Sequence, residues 1–311
     1  MCYLLNLHLS GSNPSTTAIK KKYSMKGSDA KNGSRVNGKF QWVGGESLYL
    51  LPKYLNDGND IIKNYFLPKG KSKFCWPDEE DEFKKNLETQ PLDWRYRNKE
   101  VIYTFNSHGY RCEKEFKDID WQNAIVVFGC SMVFGQGVSD DETLPYFLSK
   151  LYNREVVNLG VPSCSNEFIL ENAIRMKKTY GNPYAMVIMW TLSNRLPYYG
   201  EQSLKHLGIW GNLQTNELGH ADYDKLVSNL YYNKSNEFYR LYNITEIGRQ
   251  IFSDKTNYFD GSFFCETAHY GKCYDRFGFK NGARDLVHAG PEDLERIANE
   301  IKTIMDNEII K

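Results

Sequence analysis

Short, uninterrupted apolar runs alternate with helical apolar stripes through the C-terminal two-thirds of the chain. Ala124-Ile125-Val126-Val127-Phe128 has no polar interruption, the mark of a strand buried on both faces. Gly129-Cys130-Ser131 ends it. Beyond Asp140-Asp141, Leu144, Phe147, Leu148 and Leu151 share one helical face, with Pro145 tolerated only in the first turn. Val156-Val157-Asn158-Leu159 reads as a second strand and residues 166–180 as a helix, with Ile169, Leu170, Ala173 and Ile174 together. Gly181 and Pro183 stop that helix, and Ala185 to Trp190 is a third buried strand. Strand, helix, strand, helix, strand with short connections predicts an α/β fold: a three-layer α/β/α domain with a parallel sheet, over residues 121–311. A helical pattern covers Tyr223 to Phe252, and no clear strand stands between Phe252 and Asp285. Pro291 opens a last helix, striped by Leu294, Ile297, Ala298, Ile301, Ile304 and Met305.

Upstream the pattern dissolves. Residues 1–45 include a long Ser-, Gly-, Asn- and Lys-rich stretch with no period, which buries too little apolar surface to offset its ordering entropy. They are expected to form a flexible arm. Residues 46–120 read as an irregular, aromatic N-terminal extension with an acidic run at Asp78 to Glu82. Within it, Val101 to Phe105 has strand character, and Asn106-Ser107-His108-Gly109 looks like a turn leading to Tyr110-Arg111.

Composition narrows the partners. The chain has 311 residues, with 39 basic and 39 acidic side chains, so no net charge draws it to nucleic acid or anionic lipid. No apolar run approaches the ~20 residues that span a bilayer, and Met1 to Ser10 lacks the basic start of a signal peptide. The expected location is cytoplasmic, with no membrane and no nucleic-acid partner. The seven cysteines, odd in number and scattered, are then mostly reduced thiols, and the sequons at Asn32, Asn233 and Asn243 mean little. Cys265, His269 and Cys273 share one helical spacing but fit zinc poorly, being three ligands broken by Gly271. The 22 tyrosines and 17 phenylalanines suit sugar- or partner-binding surfaces and equally an aromatic core. Oligomeric state is left open.

Ligands bind beyond the carboxyl ends of strands in an open parallel sheet. Ser131, Gly160 and Ser193-Asn194 each follow a strand, and Asp285 and His288 precede the closing helix. A serine hydroxyl needs a base to take its proton, a base needs a carboxylate to orient it, and a tetrahedral oxyanion needs aimed donors. Cys130 is a residue early for the nucleophile's position and reads as a small buried thiol.

Phe128 to Val138 with Glu142-Thr143, then Asn158-Leu159-Gly160, then Asp285-Leu286-Val287-His288 followed by Pro291 resemble successive blocks of the SGNH (GDSL-like) hydrolases. The resemblance covers Trp121 to the C-terminus. Tyr103 to Arg111 is also similar to the Asn-x-x-Gly-[Tyr/Phe]-Arg segment often found upstream of such domains. It implies a serine esterase acting on short acyl esters, with Ser131 as nucleophile, His288 as base and Asp285 as its orienting acid. The oxyanion donors it implies are the N–H groups of Ser131 and Gly160 and the side chain of Asn194. No metal or organic cofactor is implied. A small-molecule or glycan ester, above all O-acetylated carbohydrate, is the expected substrate. Two departures stand out. The family's Gly-Asp-Ser reads Gly-Cys-Ser, and its Gly-x-Asn-Asp is replaced by Thr191-Leu192-Ser193-Asn194-Arg195. They leave open a silent binding or structural module that keeps the fold, and an O-acyltransferase on the same machinery stays open because the sequence does not show whether the site holds an acceptor in place of water.

Overall fold

The computed structural model describes residues 34–36, 39–41, 60–63, 69–76, 78–199, 204–207, 234–254, 256–264, 272–274, 279 and 282–309. The chain clusters into two units, Met1–Leu51 and Pro52–Lys311. In the first, strands β1 (Ser34–Val36) and β2 (Lys39–Gln41) pair antiparallel. Asn37-Gly38 stands between them in sequence, the pair most favoured in two-residue hairpin turns. This hairpin falls where composition predicts an arm without structure.

The second unit opens on β3 (Gly70–Ser72), helix α1 (Glu80–Thr89) and β4 (Tyr103–Phe105), which returns antiparallel to β3. Then follow β5 (Ile125–Gly129), a single helical turn α2 (Ser131–Phe134), α3 (Leu144–Tyr152), β6 (Val156–Gly160), α4 (Asn166–Tyr180) and β7 (Ala185–Trp190). The hairpin β8 (Leu196–Tyr199) and β9 (Leu204–Leu207) precedes α5 (Lys234–Phe252), β10 (Asn257–Ser262), β11 (Lys272–Cys273) and α6 (Pro291–Ile304).

Strands β5, β6, β7, β10 and β11 form one parallel sheet in the order β11-β10-β7-β5-β6. Numbered along this sheet alone, that is 2-1-3-4-5, the doubly wound order whose direction reverses between its first and third strands. The fold is therefore three-layer α/β/α: α3 packs with α6, and α4 with α5. β5 and β7 are buried along their whole length, which is why their sequences carry no polar alternation. The helices begin as their sequences dictate. Thr143 and Ser165 accept the N–H groups of Tyr146 and Phe168, and Pro291 starts α6, where a missing donor costs nothing.

Two strands, β10 and β11, lie where no strand is expected. β10 reads Asn-Tyr-Phe-Asp-Gly-Ser, without the β-branched run of a central strand. Its Asp260 is held by Arg249 of α5 and by the Trp190 indole N–H at 3.2 Å. The helix expected over Tyr223 to Phe252 is described from Lys234, and residues 223–233 lie outside the described part.

The expected boundary at Trp121 has no counterpart in the packing. Ile61, Ile62, Tyr110, Phe116 and Trp121 belong to the same core as the sheet, and Trp121 stacks on Tyr180 of α4 at 4.2 Å. The Asn172 amide of α4 accepts the Ile62 N–H at 2.9 Å and donates to the Tyr110 hydroxyl at 2.7 Å. That hydroxyl in turn donates to the Ile62 carbonyl at 2.7 Å. The described residues between 60 and 120 are one body with the sheet.

Candidate active site

Ser131 begins α2 immediately beyond the end of β5. Four residues make this turn: the Phe134 N–H donates to the Cys130 carbonyl, and the Gly135 and Gln136 N–H groups to that of Ser131. Gly135 then closes it in the left-handed region at φ 82°, where a side chain is strained. The Ser131 N–H opens the turn, where no helical carbonyl precedes it.

The second half of the site is built by one carboxylate. Asp285 Oδ1 accepts the N–H groups of Val287 (3.0 Å) and His288 (3.1 Å), closing a tight turn over Leu286, whose φ is 60°. The other oxygen, Oδ2, lies 2.5 Å from His288 Nδ1, and His288 Nε2 lies 2.8 Å from Ser131 Oγ. The structure thus brings Ser131, His288 and Asp285 into one chain of hydrogen bonds across 157 residues of sequence. Asp285 to Nδ1 and Ser131 to Nε2 is the arrangement in which the imidazole can take the serine proton while the carboxylate holds its tautomer. All three side chains are withdrawn from solvent.

Burial pushes the Asp285 carboxyl up, but the hydrogen bond and charge of His288, with the two backbone N–H groups, outweigh it and hold the group below its ordinary range. A folded pKa below the unfolded one contributes stability that is fully present above about pH 4 and lost as pH falls through the folded value. Asp285→Asn removes that increment. Thermal melts from neutral pH to about pH 2 are therefore expected to show wild type losing its advantage over Asp285→Asn on the acid side. Parallel curves would contradict the assignment.

The remaining expected site residues fall differently. Gly160 ends β6 opposite Gly129, but its N–H donates to Asn158 Oδ1 at 2.9 Å. In this structure that bond engages the N–H expected to face the oxyanion. The position needs glycine for another reason: a Cβ there would stand 2.4 Å from the Phe134 nitrogen and 2.9 Å from its Cα, so α2 passes directly over it. The Asn158 amide nitrogen reaches the Val133 and Phe134 carbonyls at 3.2 and 3.4 Å, tying β6 to the end of the same turn. Asn194 lies half-buried in the turn beyond β7, its Oδ1 enclosed without a hydrogen-bond partner. No bond joins it to Ser131 or His288 among the described contacts. Cys130 is a buried free thiol, and elsewhere burial pushes the Cys75 thiol up to about 12, far from a thiolate nucleophile. Cys265 and His269 lie outside the described residues, and no group of three metal-ligating side chains occurs among the described ones.

Sequence reasoning missed a set of residues from the upstream segment. Arg111 is buried behind the Ser131 turn and donates to the carbonyls of Phe134 (3.1 Å), Gly135 (2.5 Å), Val138 (2.6 Å) and Ile102 (3.0 Å), and to Asp140 (2.7 Å). A cation at the carbonyl end of a helical turn is favourably placed. Asn106 prepares it: its Oδ1 accepts the His108 and Tyr110 N–H groups, and Gly109 turns the chain at φ 76°. The signal was present as the Asn106-x-x-Gly109-Tyr110-Arg111 pattern, without a role to attach to it. Asp78, Tyr103 and Arg284 form a second buried group that no spacing announces. Arg284 donates to both Asp78 oxygens at 3.1 and 2.7 Å, and the Tyr103 hydroxyl donates to Asp78 and accepts the Gly137 N–H at 2.8 Å.

No known family model matches the chain, and no curated protein matches it. Several solved structures are similar to it, two of them as follows. One is assigned to the G-D-S-L lipolytic family, from Desulfitobacterium hafniense DCB-2. It shares 11% identity and a TM-score of 0.27, over 60% of this chain and 74% of that one. The other is a carbohydrate acetylesterase family member from Sinorhizobium meliloti, at 11% identity and a TM-score of 0.31, over 59% of this chain and 98% of that one. At such distance neither neighbour's activity transfers to this chain. Among the described residues, no helix is long and apolar enough to cross a membrane.

Proposed function

We propose that the protein is a serine esterase acting on short acyl esters. The observation that carries the reading is the 2.8 Å approach of Ser131 Oγ to His288 Nε2, with Asp285 on the opposite nitrogen. Ser131 Oγ attacks the ester carbonyl carbon as its proton passes to His288 Nε2. The tetrahedral intermediate collapses by breaking the bond to the alcohol oxygen, which leaves with the proton from His288. Water then attacks the acyl-Ser131 carbonyl, gives a proton to His288, and the acid departs as Ser131 Oγ recovers it. Asp285 stays ionised throughout and offsets the imidazolium charge. The Ser131 N–H and the Asn194 amide are the donors assigned to the oxyanion, each typically worth about 3 kcal/mol of barrier.

The substrate class assigned is O-acetylated carbohydrate. Leu286 and Val287 stand exposed between Asp285 and His288, apolar surface suited to a small acyl group. Trp76 is 53% exposed on the turn between Cys75 and Asp78, whose Cys75 carbonyl accepts the Gln136 amide beyond α2, and it offers a flat face to a sugar ring. The test is covalent labelling by a fluorophosphonate with the site read by mass spectrometry, beside turnover of p-nitrophenyl acetate and an acetylated glycan. Label on Ser131 with release of acetate is the expected result. Acetate transferred to an added sugar faster than released to water would instead make it an O-acyltransferase. No label and no turnover on either ester would leave a binding module.

A further inference from the structure

Asp78, Arg284, Tyr103 and Gly137 join three stretches of chain at one point behind the triad. Arg284 immediately precedes Asp285. Its guanidinium, 3% exposed, is held by the Asp78 carboxylate and the Lys73 carbonyl, and lies over the Phe74 ring at 4.3 Å. Its backbone N–H donates to the Gly137 carbonyl at 2.9 Å, so the acid's loop hangs on the loop that follows the nucleophile's turn. Gly137 is also held from behind, its own N–H donating to the Tyr103 hydroxyl at 2.8 Å, and that hydroxyl donates to Asp78. A Cβ at Gly137 would stand 3.0 Å from the Arg284 nitrogen and 3.2 Å from that of Asp285, so the two loops touch backbone to backbone. On the other side Asn86 of α1 donates to the Arg284 carbonyl at 3.2 Å. Residues from 73 to 103 hold both partners of this direct contact, Arg284 through Lys73, Asp78 and Asn86 and Gly137 through Tyr103.

We infer that Asp78 and Tyr103 are positioning residues for the triad: with Arg284 and Gly137 they form a clamp that sets the distance between the Ser131 loop and the Asp285–His288 loop. The inference rests on the esterase reading above. An ion pair this deeply buried is weak evidence of stabilisation, because desolvation offsets much of its attraction. What it supplies is a fixed geometry. Proton transfer between Ser131 and His288 depends on that geometry steeply, since a misplacement of about 1 Å can cost on the order of 100-fold in rate. None of the clamp residues touches Ser131 Oγ or the His288 ring, so the effect is transmitted through the two backbones.

Tyr103→Phe is the informative variant. It removes only the hydroxyl and keeps the ring stacked against both Phe105 (6.4 Å) and Phe134 (5.9 Å), so the fold is expected to survive the loss. With p-nitrophenyl acetate, and with kcat expressed per site titrated by fluorophosphonate, kcat is expected to fall about 10- to 100-fold while KM changes less than about 2-fold. Asp78→Asn is expected to do the same more strongly, and Asp78→Glu to recover part of the loss. A merely structural role predicts a lower melting temperature and fewer titratable sites, with kcat per site unchanged. That outcome, or a Tyr103→Phe variant indistinguishable from wild type, overturns the clamp and leaves the esterase standing. A wild-type protein that neither labels nor turns over overturns the esterase reading, and the clamp with it.

Discussion

Ser131→Ala and His288→Ala are each expected to lower p-nitrophenyl acetate turnover by about 10⁴-fold or more, and the double variant to be no slower than either single one. The non-additivity is the sharper half of the expectation. Without Ser131 Oγ there is nothing for the imidazole to deprotonate; without His288 the hydroxyl 2.8 Å away is an ordinary alcohol. In the proposed reaction the two groups perform one step, so removing the second removes nothing further. What survives is the contribution of backbone and amide donors and of binding. Nitrophenyl acetate also reacts slowly with surface nucleophiles, and the three variants share that background. Ser131→Ala removes only a hydroxyl, so its melting temperature within a few degrees of wild type is the control, whereas His288→Ala leaves the buried Asp285 carboxylate unpaired and is expected to melt lower. Losses that multiply in the double variant would mean two independent sites, and the triad would be wrong.

Gly160→Ala is expected to produce the largest effect of any single methyl group in the molecule's active half. The added carbon would meet the Phe134 nitrogen, the Phe134 Cα and the Val133 carbonyl carbon at 2.4–2.9 Å, all of them backbone. No rotamer change relieves such contacts. Either β6 or α2 has to move, and α2 carries Ser131. Overpacking of this kind costs about 1–3 kcal/mol, which for a unit of this size lowers the melting temperature by several degrees at about 2–4 °C per kcal/mol. Turnover is expected to fall by about 10-fold or more in the protein that remains folded, because the displaced element holds Ser131, the proposed nucleophile. Calorimetry and kinetics on one preparation check both halves. A variant that melts and reacts like wild type would show that α2 does not lie on the Gly160 backbone.

Much of this was legible in the amino-acid order, for identifiable reasons. β5 and β7 are buried on both faces, so their apolar runs are continuous, and α4 and α6 end on Gly181 and begin on Pro291 as their sequences announce. Ser131, Asp285 and His288 are expected through the order of blocks that resemble the SGNH hydrolases, since locally the sequence offers only a turn after a buried strand and an Asp three residues before a His. β10 was not visible, because its polarity is satisfied by Arg249 and Trp190 from other elements. That residues 60–120 pack on the sheet's core was not visible for a related reason. Residues 60–120 lack periodicity because their contribution is a set of single long-range bonds, such as Arg111 to four carbonyls and Asp78 to Arg284 across 206 residues. Gly160 was singled out for its N–H, whereas its missing side chain is what the packing uses.

The two oxygens of Asp285 also bear on how such a protein would diverge. One oxygen folds the loop by accepting the Val287 and His288 N–H groups; the other faces the imidazole. A descendant that abandoned the proposed reaction would be released from keeping Ser131 and His288, yet it would still need an aspartate or asparagine to close the turn over Leu286. Persistence of either at that position in a lineage would therefore record an inherited shape, and only the serine and histidine would record a surviving reaction.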